Sequence, residues 1–148
     1  MVDAIEISRY ILNTANINGD LITNLKLQKI LYYAQAWYLV NFDKEKLFED
    51  NIEAWQYGPV IPSVYNVYKG FNRKPIEIEI EEKEFESLSP QIQTYLDEFC
   101  ERFLDYSATQ LVSMTHNEQP WQEAYQKCPC EIINLDSMYS YYKKLLED

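Results

Sequence analysis

The side chains with the most reactive chemistry in this sequence are one histidine and three cysteines. His116 follows a predicted helix, and a catalytic histidine would need a nucleophile and an orienting acid beside it. No serine or cysteine motif supplies that nucleophile, and an imidazole near a helix C-terminus is also favoured by the helix dipole. We therefore predict that His116 caps or packs, and that the chain has no catalytic residue; a hydrolase that uses His116 is the alternative.

The cysteines do not have the spacing of a metal site. Cys128 and Cys130 form a C-x-C pair, and Cys100 lies on the inward side of a predicted helix. Structural zinc sites usually combine two pairs with wider spacing, although a four-ligand set could be drawn with His116. An odd number of cysteines also argues against a disulfide framework. We expect free thiols in a loop, no metal and no cofactor.

Carboxylates alternate with isoleucines in the segment from Ile76 to Glu81. This alternation predicts a half-exposed strand, paired antiparallel with residues 52–57. Its outer face would carry Glu77, Glu79 and Glu81, without the turn and glycine of a calcium loop. The row is either a solvated edge that discourages pairing with other sheets or a docking face for a basic partner.

Composition excludes several classes of function. With only 3 glycines, the chain contains none of the glycine-rich phosphate-binding motifs. Its 24 acidic and 13 basic residues give a net charge of -11, which repels phosphate backbones and anionic membranes. A basic protein partner fits this charge better than nucleic acid, although solubility alone is an alternative explanation.

Length and hydropathy predict one globular domain. The 148 residues are 47% hydrophobic, enough for a core without metal or disulfides. The first residues lack the basic and apolar regions of a signal peptide, and no apolar run approaches the roughly 20 residues that span a bilayer. We expect a cytoplasmic protein.

The positions of hydrophobic residues predict a mainly α fold with a small β-ribbon, in a single compact helical domain of about six helices. The Asn18-Gly19-Asp20 turn ends the first helix, Thr23 or Asn24 caps the second, and Ser107 caps the fifth. Pro62 suits a helix start, and Gly58-Pro59 is predicted to end the strand before it. The predicted helices cover residues 3–17, 24–42, 62–70, 90–104, 108–115 and 135–147, with a short helical turn at Pro120-Trp121.

Aromatic residues are the strongest sign of a binding surface, since the chain has 13 tyrosines and 3 tryptophans. Stacking on single-stranded nucleic acid would need more interleaved lysine and arginine than this sequence has, whereas exposed Tyr and Trp favour protein interfaces. Fold maintenance is the alternative role for all of these residues. The predicted partner contacts are Lys26, Lys29 and Tyr33 on an exposed flank of the second helix, Trp55 and Tyr57 on one strand face, Tyr65, and the carboxylates Glu77, Glu79 and Glu81.

Three segments resemble the Panacea domain of SocA-like antitoxins, which is also known from GepA-like phage-associated proteins. The first runs from Thr23 to Trp37 and contains Leu-Lys-Leu-Gln-Lys-Ile-Leu-Tyr-Tyr-Ala-Gln. The second contains Ala-Trp-Gln-Tyr-Gly-Pro-Val-Ile-Pro at 54–62. The third is Leu111 to His116 followed by Pro120-Trp121. The motif residues with an expected structural role are Gly58, Pro59, Pro62, His116, Pro120 and Trp121.

The resemblance implies a non-enzymatic antitoxin domain over residues 1–148. Such a domain would neutralise a toxin encoded by the adjacent gene through direct protein–protein binding, without nucleic acid or membrane. One branch of the family instead delivers its toxin to a host protease. The alternative function is therefore a proteolytic adaptor, or a phage-encoded inhibitor that binds another host protein. A DNA-binding regulator is disfavoured by the charge.

Overall fold

Helix α2 (Asn24–Asn41) is the element on which the others assemble. In the computed structural model, which describes residues 2–147, this helix contacts five other helices and the second strand of the ribbon at several points each. Thirteen of its 18 residues are buried. Since apolar and aromatic side chains surround the whole helix, it has no wide polar face and must be covered on all sides.

The order of elements confirms the predicted fold class. The described residues form seven α-helices and one two-stranded antiparallel ribbon. The helix in addition to the six predicted is α6, since the sequence predicted only a short helical turn at Pro120-Trp121. The remaining elements are α1 (Ala4–Ile17), β1 (Glu53–Trp55), β2 (Gly58–Val60), α3 (Pro62–Tyr68), α4 (Pro90–Phe103), α5 (Ala108–His116), α6 (Gln119–Lys127) and α7 (Leu135–Glu147), with 3₁₀ turns at Lys69–Phe71 and Glu82–Phe85.

Helix starts follow the local sequence signals. The Thr23 hydroxyl accepts a hydrogen bond from the Lys26 amide at the start of α2, and Ser107 does the same for Gln110 at the start of α5. Pro62 occupies the first turn of α3, where its missing N–H costs nothing. The predicted caps at Thr23 and Ser107 and the predicted start at Pro62 are confirmed. Among the helices of residues 2–147, none combines the length and apolar character needed to cross a membrane.

The ribbon is a hairpin, which differs from the prediction. β1 pairs with β2, with Glu53 opposite Val60, so that Gln56 and Tyr57 form the turn. The expectation that Gly58-Pro59 ends a strand is wrong, because these two residues lie within β2. The other edge of β1 is covered by the segment before α7, where the Ala54 amide donates to the Glu131 carbonyl at 2.8 Å.

The alternating segment from Ile76 to Glu81 is not a strand, so its predicted pairing with residues 52–57 is wrong. Both edges of β1 are already occupied, by β2 and by the 131–132 segment. The segment instead runs along the helices: Ile76 is buried and its amide donates to the Ile22 carbonyl at 2.8 Å. The alternation in burial persists, and Glu77, Glu79 and Glu81 are exposed.

Gly58 packs tightly against side chains of α2 and α5. Its φ of +114° is one that L side chains rarely adopt, and an added Cβ would lie 2.7 Å from Lys29 Cε and 2.9 Å from Thr115 Oγ1. Both the backbone conformation and the available space therefore require glycine at this position.

We predict that Gly58→Ala destabilises the fold by about 2–4 kcal/mol, through backbone strain and overpacking together. Urea denaturation followed by circular dichroism measures this change. Gly70→Ala is the matched control, because a Cβ on Gly70 would meet nothing within 4 Å. A Gly58→Ala variant as stable as the Gly70→Ala variant would contradict this account of the hairpin.

Candidate functional site

A groove with a volume of about 520 Å³ lies between the start of α2, the hairpin and α3. It is lined by residues of three chain segments that are distant in sequence. Trp55, Tyr57 and Tyr65, which the sequence predicted as partner contacts, all line it together. The other lining residues are Asn24, Leu25, Gln28, Lys29, Gln56, Val60, Lys69, Asn72 and Arg73.

Aromatic side chains form the wall of the groove on the hairpin side. The rings of Trp55 and Tyr65 meet edge to face with centroids 5.0 Å apart, and the Trp55 indole donates to Glu53 at 3.0 Å. Tyr57 lies in the turn and is 62% exposed, and Leu25, a lining residue on α2, is 41% exposed. Trp55 and Tyr57 do not share a strand face as predicted, since Tyr57 follows the end of β1.

Lys29 does not lie on an exposed flank of α2, and that prediction is wrong. Its side chain is fully buried and passes beneath Gly58, where Nζ donates to the Pro59 carbonyl at 3.1 Å. No carboxylate of residues 2–147 forms an ion pair with it. Burial without a counter-charge lowers the pKa of Lys29 to about 7. Lys29 thus fixes β2 to α2 through this hydrogen bond.

Two further polar side chains of α2 hold the chain that follows the hairpin. The Gln28 carbonyl oxygen accepts from the Ile61 amide at 2.8 Å, and its amide group donates to Asn24 at 2.8 Å. Asn24 in turn donates to the Tyr65 carbonyl at 3.2 Å. The sequence analysis did not predict these hydrogen bonds. The feature that could have indicated them is the pair of amide side chains, Asn24 and Gln28, on a helix that is buried on all sides.

Tyr33 is also buried, which corrects its predicted exposure. Its hydroxyl donates to Glu118 Oε1 at 2.5 Å, and the Tyr142 hydroxyl donates to the same oxygen at 2.7 Å. Burial raises the pKa of Glu118, and the two hydrogen bonds oppose that shift. These groups fix α7 and the start of α6 to α2, so Tyr33 is not available to a partner.

Lys26 is half-buried at the first turn of α2. Its Nζ donates to the Leu104 carbonyl at 2.7 Å, beyond the end of α4. Burial lowers the pKa of Lys26. The side chain thus ties two helices together, and it does not line the groove.

His116 is half-buried and belongs to an aromatic stack. Its ring lies 4.2 Å from that of Trp121 at an angle of 26°, and Trp121 stacks in turn on Tyr125 at 4.7 Å. The Trp121 indole donates to the Trp55 carbonyl at 2.9 Å, so the stack supports the end of β1. The Nε2 atom of His116 is buried without a hydrogen-bond partner, which keeps it from reaching a substrate.

The cysteines lie apart from this site. Cys100 is buried in α4, and burial raises the pKa of its thiol to about 12. Cys128 and Cys130 are exposed free thiols after α6, as the sequence predicted. Within residues 2–147, no three His, Cys, Asp or Glu side chains are grouped so that they could hold a metal ion.

We predict that Lys29→Met removes a pH dependence of stability. The pKa of Lys29 is about 7 in the folded chain, whereas the usual value for an exposed lysine is 10.5. Between these two pH values the unfolded chain binds more protons at Lys29 than the folded chain does. The free energy of unfolding therefore rises with pH through this window. Relative to the Met variant, the wild-type chain should gain up to about 1.4 kcal/mol per pH unit. Urea denaturation across this window measures both slopes; the exposed Lys144→Met variant should retain the wild-type slope, and parallel slopes for Lys29→Met would contradict the prediction.

Comparisons with known proteins agree with the motifs quoted above. Residues 27–122 match the family model described as "Antitoxin SocA-like, Panacea domain". Antitoxin SocA of Caulobacter vibrioides (strain NA1000 / CB15N) is 34% identical over 130 residues, which cover 81% of this chain and 69% of that protein. No solved structure matches the chain. The matched region contains most of α2, the hairpin, α3 and the His116–Trp121 stack, and the chain belongs to the SocA-like antitoxin family with a Panacea domain.

Proposed function

We propose that this chain neutralises a toxin encoded by the adjacent gene by binding it directly. The observation that carries the proposal is the family membership, together with a relative that is itself an antitoxin. The proposed unit is the whole chain, because α1 and α7, which lie outside the matched residues, both pack on α2. An antitoxin of this kind needs a partner-binding surface rather than a reaction centre.

Three groups that could act as a base or nucleophile are buried or engaged within the fold, which supports binding rather than acid–base catalysis; the thiols of Cys128 and Cys130 are exposed. His116 is stacked on Trp121 with its Nε2 buried. The Lys29 amine lies beneath the hairpin, bonded to the Pro59 carbonyl. Cys100 is buried, and its thiol pKa is raised, which disfavours the reactive thiolate. The Lys29 amine, the Cys100 thiol and His116 Nε2 are therefore buried away from any substrate.

The groove offers what a protein interface needs. Trp55, Tyr57 and Tyr65 present partly exposed aromatic surface, and Tyr, Trp and Arg are the residues that most often dominate binding energy. The backbone behind them is fixed, since Lys29 and Gln28 hold β2 and the start of α3 to α2. A preformed surface loses little conformational entropy on binding. We therefore place the toxin contact at this groove.

The test is growth of cells that express the adjacent open reading frame, with and without this chain. We predict that the adjacent product arrests growth and that this chain restores it, with the two proteins purifying together. The amount of toxin distinguishes two mechanisms: a stable toxin level indicates sequestration, whereas loss of the toxin indicates delivery to a protease. A harmless neighbour, or arrest that this chain does not relieve, would contradict the proposal.

We further predict that Tyr57→Ala weakens toxin binding about tenfold or more and impairs rescue, because it removes exposed aromatic surface from the groove. Tyr106→Ala is the matched control, since Tyr106 is an exposed tyrosine that does not line the groove. Isothermal titration calorimetry gives both affinities, and thermal melting shows whether each variant is folded. Equal affinities for the two variants would place the toxin contact elsewhere.

A further inference from the structure

We propose that the groove binds an acidic segment of the partner protein, a peptide in which at least one carboxylate side chain stands beside an apolar one. This inference rests on the proposed function and adds the chemistry of the contacted segment. It opposes the expectation from net charge, which predicted a basic partner. The local composition of the groove, rather than the average charge of the chain, carries the argument.

The charge of the groove is opposite to that of the chain. The sequence has 24 acidic and 13 basic residues, yet the exposed charged residues that line the groove are Lys69 and Arg73, and no Asp or Glu lines it. Among the hydrogen bonds and ion pairs of residues 2–147, one joins a lining residue to an acid, that of the Trp55 indole with Glu53, and Glu53 does not line the groove. An acidic protein therefore keeps carboxylates out of one concave, aromatic surface.

The two outer cations of the groove have no partner within the described chain. Lys69 and Arg73 are exposed and form no ion pair with any of residues 2–147. Three basic side chains of residues 2–147 do form ion pairs: Arg9 with Glu84 at 2.7 Å, Lys46 with Glu49 at 3.8 Å and Lys83 with Glu81 at 3.0 Å. Exposed cations elsewhere in the described chain, such as Arg102 and Lys144, are also unpaired, so Lys69 and Arg73 differ from them by lining the aromatic groove. A guanidinium that has no partner can bind a carboxylate through two parallel hydrogen bonds.

The backbone sets these cations at fixed places along the rim. Lys69 begins the 3₁₀ turn after α3, and the Asn72 amide donates to the Lys69 carbonyl at 3.0 Å. Asn72 has a φ of 54°, which turns the chain so that Arg73 also reaches the groove. Tyr57 and Leu25 line the same groove and expose apolar surface. A carboxylate next to an apolar side chain matches both halves of this arrangement.

Single-stranded nucleic acid is the competing occupant, because aromatic rings and cations also bind bases and phosphates. The groove has few cations for that task, and one of them, Lys29, is fully buried and already bonded to Pro59. The net charge of -11 would repel a strand extending beyond the groove. The observations therefore favour a peptide, and nucleic acid becomes an outcome of the test.

The experiment compares the full chain with two double charge reversals. Lys69→Glu with Arg73→Glu alters the groove; Lys144→Glu with Arg102→Glu changes the same residue types at exposed positions outside it. Each is titrated against the product of the adjacent gene, and thermal melting verifies folding. Overlapping synthetic peptides of that product and a fluorescent oligothymidine are the additional probes for the wild-type chain.

The inference predicts that the groove reversal weakens binding of the adjacent product more than tenfold, that the control changes it less than twofold, and that the peptides bound best contain Asp or Glu. A complex that forms equally well with the groove reversal would overturn this inference while the proposed function stands. Competition by oligothymidine would replace the peptide with nucleic acid. No complex with the wild-type chain would overturn the proposed function, and the inference with it.

Discussion

The structure depends on a lysine buried without a counter-charge. Lys29 lies in the middle of a packed region, and the one hydrogen bond that its amine makes to another described residue runs to the Pro59 carbonyl. Enclosing an amine in this way is unfavourable unless the group loses its proton or finds acceptors. The hairpin supplies the acceptor, and Gly58 supplies the space for the aliphatic stem. The position of the hairpin relative to α2 is therefore fixed by this contact.

This constraint separates the side chains that build the fold from those that are free to bind. The side chains that build the fold are bonded or stacked within it: Lys29 with the Pro59 carbonyl, Gln28 with the Ile61 amide, and His116 with Trp121. Tyr57 and the rim cations Lys69 and Arg73 have no such internal role. A rigid support beneath a surface whose residues are not needed for folding allows those residues to change without unfolding the domain.

Sequence patterns predicted most helices, because their signals are local: a hydroxyl before a helix at Thr23 and Ser107, and a proline at the start of α3. The burial of Lys29 and Tyr33 was not predictable in this way, since lysine favours the surface on average and a helix covered on all sides has no periodic face. The Ile76–Glu81 alternation was ambiguous, because an extended chain against helices shows the same period as a strand. The groove itself joins segments that only the fold brings together.

The most direct test of the account is amide hydrogen exchange on the complex with the product of the adjacent gene, compared with the free chain. The account predicts that exchange slows at residues 55–57 and 69–73, where the partner would cover the groove, while the buried core of α2 changes little. Slowed exchange confined to another surface, such as the exposed carboxylates at residues 77–82, with unchanged exchange around the groove, would contradict it.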